Sequence, residues 1–483
     1  MHTAYATLPQ SPTAMQEDGA KPVYLALSNS DNRELATRFL DQQLALAEAM
    51  PCELPSAVDE IAGWITRHTD AVGTQYKEYL AERKAGAPRR YFASKSQALY
   101  FLKSVAPTKL VDGAWLYGVL ERWDDADFLP LIRIYLEELG NGVPDKNHVL
   151  IYKKLLAAHG CDQWQDLGER HFVQGAIQLA LAQNAESYLP ELIGYNLGYE
   201  QLPLHLLITS YELNELGIDP YYFTLHVTVD NAATGHAQTA LQGLLQIMPR
   251  VGDDSAFLRR VANGFRLNDL GMGTVEAIRS FDLEKETVAM LAAKSVVGKN
   301  MHSDYCRVGG RTVNDWLSDP EQIPEFLARL EQQGWIKRGE APENSRFWKL
   351  IQGERAEMFG VFSPYEQQLL ADWIATPRDG EEAPAAPRAL THRALQRSID
   401  TLGQDAVRTQ RSSAPRGLIR YRFPADEHAW ETIGCELRLL EAQLAASSSK
   451  DEAMTILLRL MSPAMHHTSA GLMATRIFSR LVN

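Results

Sequence analysis

The residues best suited to chemistry are acids and histidines that recur, in order, along one stretch of the chain. Glu138 closes the run IYLEELGNG, His148 opens the next apolar run in KNHVLIYKKLL, and Glu200 lies in ELIGYNLGYEQLP. His226 and Asp230 stand one helical turn apart in YFTLHVTVDNAATGH, so a helix there turns both to one face. The spacing of Leu189, Leu192, Ile193 and Leu197, with small Gly194 and Gly198 between them, predicts that the Glu200 helix is tightly buried. Several buried carboxylates close together are costly unless something compensates their charge. Two cations at the centre of a helical bundle would do so, with carboxylates and imidazoles as their ligands.

Taken singly, each residue also has an ordinary reading. Glu138 at a helix end is compatible with a solvated face, and the adjacent Glu137 could exchange roles with it. His148 could cap a helix or lie on the surface, and His226 with Asp230 could form a metal-free histidine–carboxylate pair. Asp112, in LVDGAW, is a further candidate carboxylate whose ordinary role would be a helix N-cap ahead of Gly113. The argument for metal rests on the whole set falling in one helical region.

The rest of the composition narrows the class. With 61 acidic against 48 basic residues the formal charge is −13, which opposes a nucleic-acid partner. The four cysteines, Cys52, Cys161, Cys306 and Cys435, form no CxxC pair, so neither a disulfide framework nor thiolate-held zinc is expected. Histidine and carboxylate ligands favour iron or manganese. Mean hydropathy is −0.26 and no apolar run is long enough to span a membrane, so a cytoplasmic protein is expected.

The elements that must position these residues read as helices almost throughout. Residues 1–90 are expected to be a polar leader followed by a helical extension, and 91–300 the metal-binding domain. Within that domain the pattern predicts helices over Lys95–Lys103, Gly113–Glu121, Phe128–Leu139, His148–His159, His171–Leu181, Leu189–Leu202, Leu204–Leu216, Tyr221–Ala233 and Gln238–Ile247. Gly140–Asn147 and Gly217–Pro220 carry the glycine, proline and asparagine or aspartate of turns. No alternating run is long enough to build a sheet. A helical extension is expected over 301–375, with a proline-started helix Pro324–Gln333 and then a turn. TPRDGEEAPAAPR, 376–388, reads as a linker. Residues 389–483 are again helical, and the tail around His466 and His467 is expected to be a docking or dimerisation segment. Lys299, His302 and Arg307 are expected on a solvated loop, with substrate-carboxylate binding as the alternative.

The order Glu138, His148, Glu200, His226-x3-Asp230 resembles that of the haem-oxygenase-like diiron oxidases and oxygenases, and LVDGAWLYG, EELGNG and YFTLHVTVDN resemble their surroundings. The likeness runs from about Tyr91 to Ile247. It implies an all-α, haem-oxygenase-like helical bundle, here with helical N- and C-terminal extensions. It also implies a final histidine three residues after the aspartate, where this chain has Ala233. The next histidine, His236, lies about 120° from Asp230 in an ideal helix. A π-bulge or unwinding at Gly235 would be needed to bring it back as a ligand.

The resemblance implies a cofactor of two Fe(II) ions with O2 as co-substrate. The activity implied is oxidation of a small amine, amino acid or fatty acid, through N-oxygenation, desaturation or oxidative C–C cleavage in a biosynthetic pathway. Tyr195, Tyr199, Tyr222, Phe223 and Trp115 would wall the site. An external electron donor and a homodimer are compatible with this reading. Two alternatives stand beside it. One is a ferritin-like carboxylate oxidase, which would need paired Glu-x-x-His motifs that the sequence lacks. The other is a non-enzymatic helical interaction protein.

Overall fold

The computed structural model describes residues 19–229, 235–252, 254–352, 356–377 and 427–482. The leader 1–18, Asp230 and most of the expected linker fall outside these residues. The described chain is all-α apart from one short hairpin, in which β1 (Arg307–Val308) pairs antiparallel with β2 (Arg311–Thr312).

The helices begin where the sequence offers caps and stop where it offers breakers. Helices α1 (Ala20–Asn29), α2 (Arg33–Glu48) and α3 (Val58–Lys84) lead into α4 (Lys95–Lys109), whose N-cap Ser94 accepts from the Gln97 amide. A 3-10 helix, Ala114–Arg122, follows where an α-helix over Gly113–Glu121 was expected. Gly113 takes φ +80°, which starts that tighter helix from a left-handed residue. Helix α5 (Leu129–Glu138) has Pro130 in its first turn, and α6 (His148–His159) is capped by Asn147 and closed by left-handed Gly160. Then come α7 (Val173–Gln183), α8 (Leu189–Tyr199), α9 (Leu204–Glu215), α10 (Tyr221–Val229), α11 (His236–Ile247) and α12 (Ser255–Arg266).

Two apolar cores divide this bundle. The larger joins α1, α2, α5, α7, α8, α11 and α12 around Trp115, Leu131, Ile177 and Tyr195. The second joins α4, α6 and α10 around Phe101, Tyr152 and Tyr222. Helices α8 and α12 cross at van der Waals contact. A Cβ on Gly194 would lie 1.8 Å from the Val261 carbonyl, and one on Gly264 1.9 Å from that of Glu191. The glycines expected to bury the Glu200 helix tightly do so against Val261, Phe265 and Asn268, and Gly264 answers them from the facing helix against Glu191.

Beyond α13 (Thr274–Arg279), α14 (Leu283–Gly298) packs with α15 (Val313–Leu317), α16 (Ile323–Gln332), α17 (Arg346–Ile351) and α18 (Pro364–Ala375) around a third core that includes Trp316 and Trp373. Helix α16 ends in a turn at Gly334, as expected. Lys299 and Arg307 are exposed beside this module, and Arg307 donates to the nearby Gly310 carbonyl. The C-terminal helices Glu427–Ala446, Lys450–Leu460 and Ser469–Val482 return to the largest core through Leu440, Met454, Leu457, Met461, Ala474 and Phe478. The tail read from sequence as a docking or dimerisation segment thus docks on its own chain. Among the described residues no helix is long and apolar enough to cross a membrane.

Candidate metal centre

The acids and histidines meet at the seam between the two larger cores. Glu138 comes from the end of α5, His148 from the start of α6, Glu200 from the residue after α8, and His226 from α10. Asp112 reaches the same place from the turn before the 3-10 helix. Gly113 permits this approach: besides its positive φ, a Cβ there would lie 2.8 Å from the Glu138 Cβ.

His236 arrives from behind Gly235, where the sequence left a π-bulge or unwinding open. Among the described residues α10 ends at Val229, and His236 opens the separate helix α11 behind Gly235. Gly235 is extended (φ −79°, ψ −177°), so the chain is unwound at that residue, the alternative to a π-bulge, and the 120° offset of an ideal helix does not apply. Asp230 lies outside the described residues.

Two groups of ligand atoms result. Asp112, Glu138, His148 and His226 form one, and Glu138, Glu200 and His236 the other. Within each group the atoms lie within 4.8 Å of one another, and every residue is buried. Glu138 belongs to both, in the position of a bridging carboxylate.

Orphaned polar atoms show what the groups lack. His148 Nδ1 stands 2.5 Å from Glu138 Oε2, yet neither atom has a hydrogen-bond partner, and Glu200 Oε1 has none either. Buried acceptors facing one another are costly unless a cation lies between them. His226 makes the same point. Its Nδ1 is 2.8 Å from the Tyr222 carbonyl, to which it can only donate, and its Nε2 is 3.1 Å from Asp112 Oδ2, so the ring lies between two oxygens. His236 is set similarly: Nε2 lies 2.8 Å from Glu137 Oε2 and donates to it, leaving Nδ1 toward Glu200 Oε2 at 3.0 Å. Such outer partners are what orient metal-binding imidazoles. Glu137, which the sequence left interchangeable with Glu138, is half-exposed and serves on the far side of His236.

The electrostatics record the same strain. Burial and the Asp112 charge push the Glu138 carboxyl up to about 7, and burial raises Glu200 against the pull of His236. Burial lowers His148 to about 4, so it is neutral at physiological pH, and its place in the first turn of α6 acts in the same direction. Burial also opposes a charge on His236, but Glu200 and Glu137 outweigh it and raise this imidazole to about 12. Asp112 is held well below the usual carboxylate range: burial opposes its charge, and Lys109 and His226 overcome that. Without metal, then, protons supply part of the positive charge the carboxylates require. The donor set, oxygen and imidazole nitrogen without thiolate, fits iron.

Sequence reasoning did not find the groups around Asp112. Tyr199 and Tyr222 donate to its two oxygens at 2.6 and 2.5 Å, and Lys109 donates to the Tyr199 hydroxyl at 2.9 Å. Lys109 lies at the end of α4, three residues before Asp112, so its spacing was the one available signal. Of the expected aromatic wall, Trp115 packs 4.4 Å from Tyr199, centroid to centroid, and its indole donates to Asn196. Tyr195 stacks on Tyr199, whereas Phe223 packs on Phe101 in the second core.

Residues 99–268 match a protein family described as iron-containing redox enzymes. No curated protein and no solved structure matches the chain.

Proposed function

We propose, from the match of residues 99–268 to the iron-containing redox enzyme family, that the chain is a non-haem diiron enzyme that uses O2 to oxidise a small amine, amino acid or related metabolite. The observation that carries this reading is the pair of adjoining buried ligand groups sharing Glu138, with His148 Nδ1, Glu138 Oε2 and Glu200 Oε1 unpartnered. One group would hold an iron through Asp112, Glu138, His148 and His226. The other would use Glu138, Glu200 and His236, with Asp230 as a further candidate. Two bound ferrous ions would supply two electrons to dioxygen, the substrate or an external donor supplying the rest.

The protein's own residues set the conditions for that chemistry. The Tyr222 carbonyl and Glu137 fix two imidazole tautomers, so that one nitrogen of each points inward. Tyr199, Tyr222 and Lys109 hold Asp112 as an anion, and Trp115, Tyr195 and Tyr199 exclude water from one side. An external electron donor, a cytoplasmic location and a homodimeric state belong to the same proposal. The ligands come from separate elements rather than paired Glu-x-x-His motifs, which disfavours a ferritin-like oxidase.

The test is anaerobic titration with ferrous iron, followed by exposure to oxygen and a screen of amines and amino acids. Close to two irons per chain and substrate-stimulated oxygen uptake are expected. A chain that retains no iron would remove the proposal, and two irons without oxygen uptake would leave an iron protein of another kind.

A further inference from the structure

The loop from Glu138 to His148 carries one ligand at each end, so its shape sets the distance between them. Three contacts hold that corner from the C-terminal segment, more than 300 residues away in sequence and outside the family-matched region. The Tyr135 hydroxyl, one turn before Glu138, donates to the Met461 carbonyl at 2.6 Å. Arg476 Nε donates to the Gly142 carbonyl at 2.9 Å. Gly142 itself sits so close to the last helix that a Cβ would lie 2.3 Å from the Leu472 carbonyl.

The third contact is the most specific. Asn147 is fully buried, and its side-chain oxygen accepts from the Leu150 amide, so its NH2 group must face the other way. That NH2 donates to the Leu139 carbonyl at 3.2 Å and to His466 Nδ1 at 3.0 Å. One amide thus joins the residue after Glu138 to the cap of the helix that His148 opens, and His466, itself 1% exposed, fixes its orientation. Nothing about the packing of the last helix on the core requires a buried imidazole there. A leucine would fill the space without accepting a hydrogen bond.

We infer that residues 461–476 are a clamp on the metal-bearing corner, and that His466 is a positioning residue that sets the Glu138–His148 separation through Asn147. The inference rests on the metal reading above for its consequence, but not for its geometry. Removing the acceptor leaves the Asn147 amide held only by Leu139 and Leu150 and one N–H buried without a partner, which loosens the Leu139 contact and the α6 cap together. Losing such an outer partner typically weakens metal binding about 10- to 100-fold.

The experiment uses the full chain with His466→Leu, His466→Asn, Arg476→Met and, as a control, Phe478→Leu. Hydrogen exchange is read first, on metal-free protein. His466→Leu should speed exchange of the amides from Leu139 to Leu150 about tenfold, while His466→Asn, which returns an acceptor oxygen, should restore it. Arg476 is exposed, so Arg476→Met should fold normally and act in the same direction more weakly. Cobalt(II) is then titrated anaerobically and its visible spectrum recorded. His466→Leu should weaken cobalt binding about 10-fold or more and alter the spectrum, with recovery in His466→Asn. Phe478→Leu should lower the melting temperature without changing either. Unchanged exchange at the corner in both His466→Leu and Arg476→Met overturns the clamp, as does an equal affinity loss in Phe478→Leu. A wild-type chain that binds no cobalt overturns the metal reading instead, and the exchange result still decides whether His466 holds the corner.

Discussion

The two ligand groups share Glu138 but are built differently. In the group of Asp112, His148 and His226, both Asp112 oxygens accept from tyrosine hydroxyls and the His226 ring is fixed by its own helix backbone. The contacts there come from backbone, from buried Tyr222 and from the partly buried Tyr199 and Lys109. In the group of Glu200 and His236, one Glu200 oxygen has no partner, and the His236 ring is oriented by the half-exposed Glu137. The first group has the more numerous and more deeply buried outer partners, although His148 Nδ1 and Glu138 Oε2 are unpartnered in it, whereas the second is oriented by a half-exposed carboxylate. Metal affinity should therefore differ between them, with the first group the tighter.

The largest expected effect removes the comparison altogether. Glu138→Ala deletes the carboxylate common to both groups, so iron content after anaerobic loading should fall from about two per chain to nearly none. A variant that still bound one iron tightly would show that Glu138 serves one group only. Glu200→Ala should separate the groups: one iron is retained and the second is lost. Asp230→Asn should mimic Glu200→Ala if Asp230 completes the second group, and should resemble His226→Ala if it belongs to the first.

The pH dependence sharpens the comparison further. Glu138 at about 7 and His236 at about 12 both carry protons in the metal-free protein below neutrality, and ligation must displace them. Overall affinity for two metals should rise with pH, by about two logarithmic units per pH unit below 7 and about one above it. In Glu200→Ala, His236 loses the partner that most raises its pKa, so less of the remaining slope should lie above neutrality. Affinity flat across pH 6 to 8 by calorimetry would show that neither proton is displaced.

How much of this was legible in the sequence depended on whether the signal was local. Glu138 and His148 were legible as helix-end residues marked by Gly140 and Asn147, and Glu200 was expected inside Leu189–Leu202 although α8 ends at Tyr199; their grouping came from their order in one helical region and from the family resemblance. Asp112 was ambiguous because an acid before glycine has an ordinary capping role. Its use in the site rests on Gly113 meeting Glu138, a contact between residues 25 positions apart that no local pattern shows. His236 needed the chain to leave the helix at Gly235, an alternative the sequence offered beside a π-bulge but could not choose, and Gly235 is extended there. His466 and His467 face different ways, one toward Asn147 and the other toward Lys153. What the inward histidine does is visible only with its partner, 319 residues earlier, in place.

Two smaller perturbations test the first group's claim to rigidity. Gly113→Ala forces a side chain into a left-handed backbone and against Glu138, which should cost roughly 1–3 kcal/mol of stability. Because the displaced residue is the shared carboxylate, both metals should weaken along with the melting temperature. Tyr222→Phe is milder and more selective. It keeps the ring that packs against His148 and His226 and removes only the hydroxyl that donates to Asp112. Asp112 would still accept from Tyr199 and remain near Lys109, so the carboxylate stays charged. The second group has no contact with that hydroxyl. Affinity at the first group should therefore fall by about tenfold while the second is unchanged, narrowing the gap between two resolved binding steps. If the weaker step moves instead, the tighter site is the Glu200–His236 group and the ranking drawn from the outer partners is reversed.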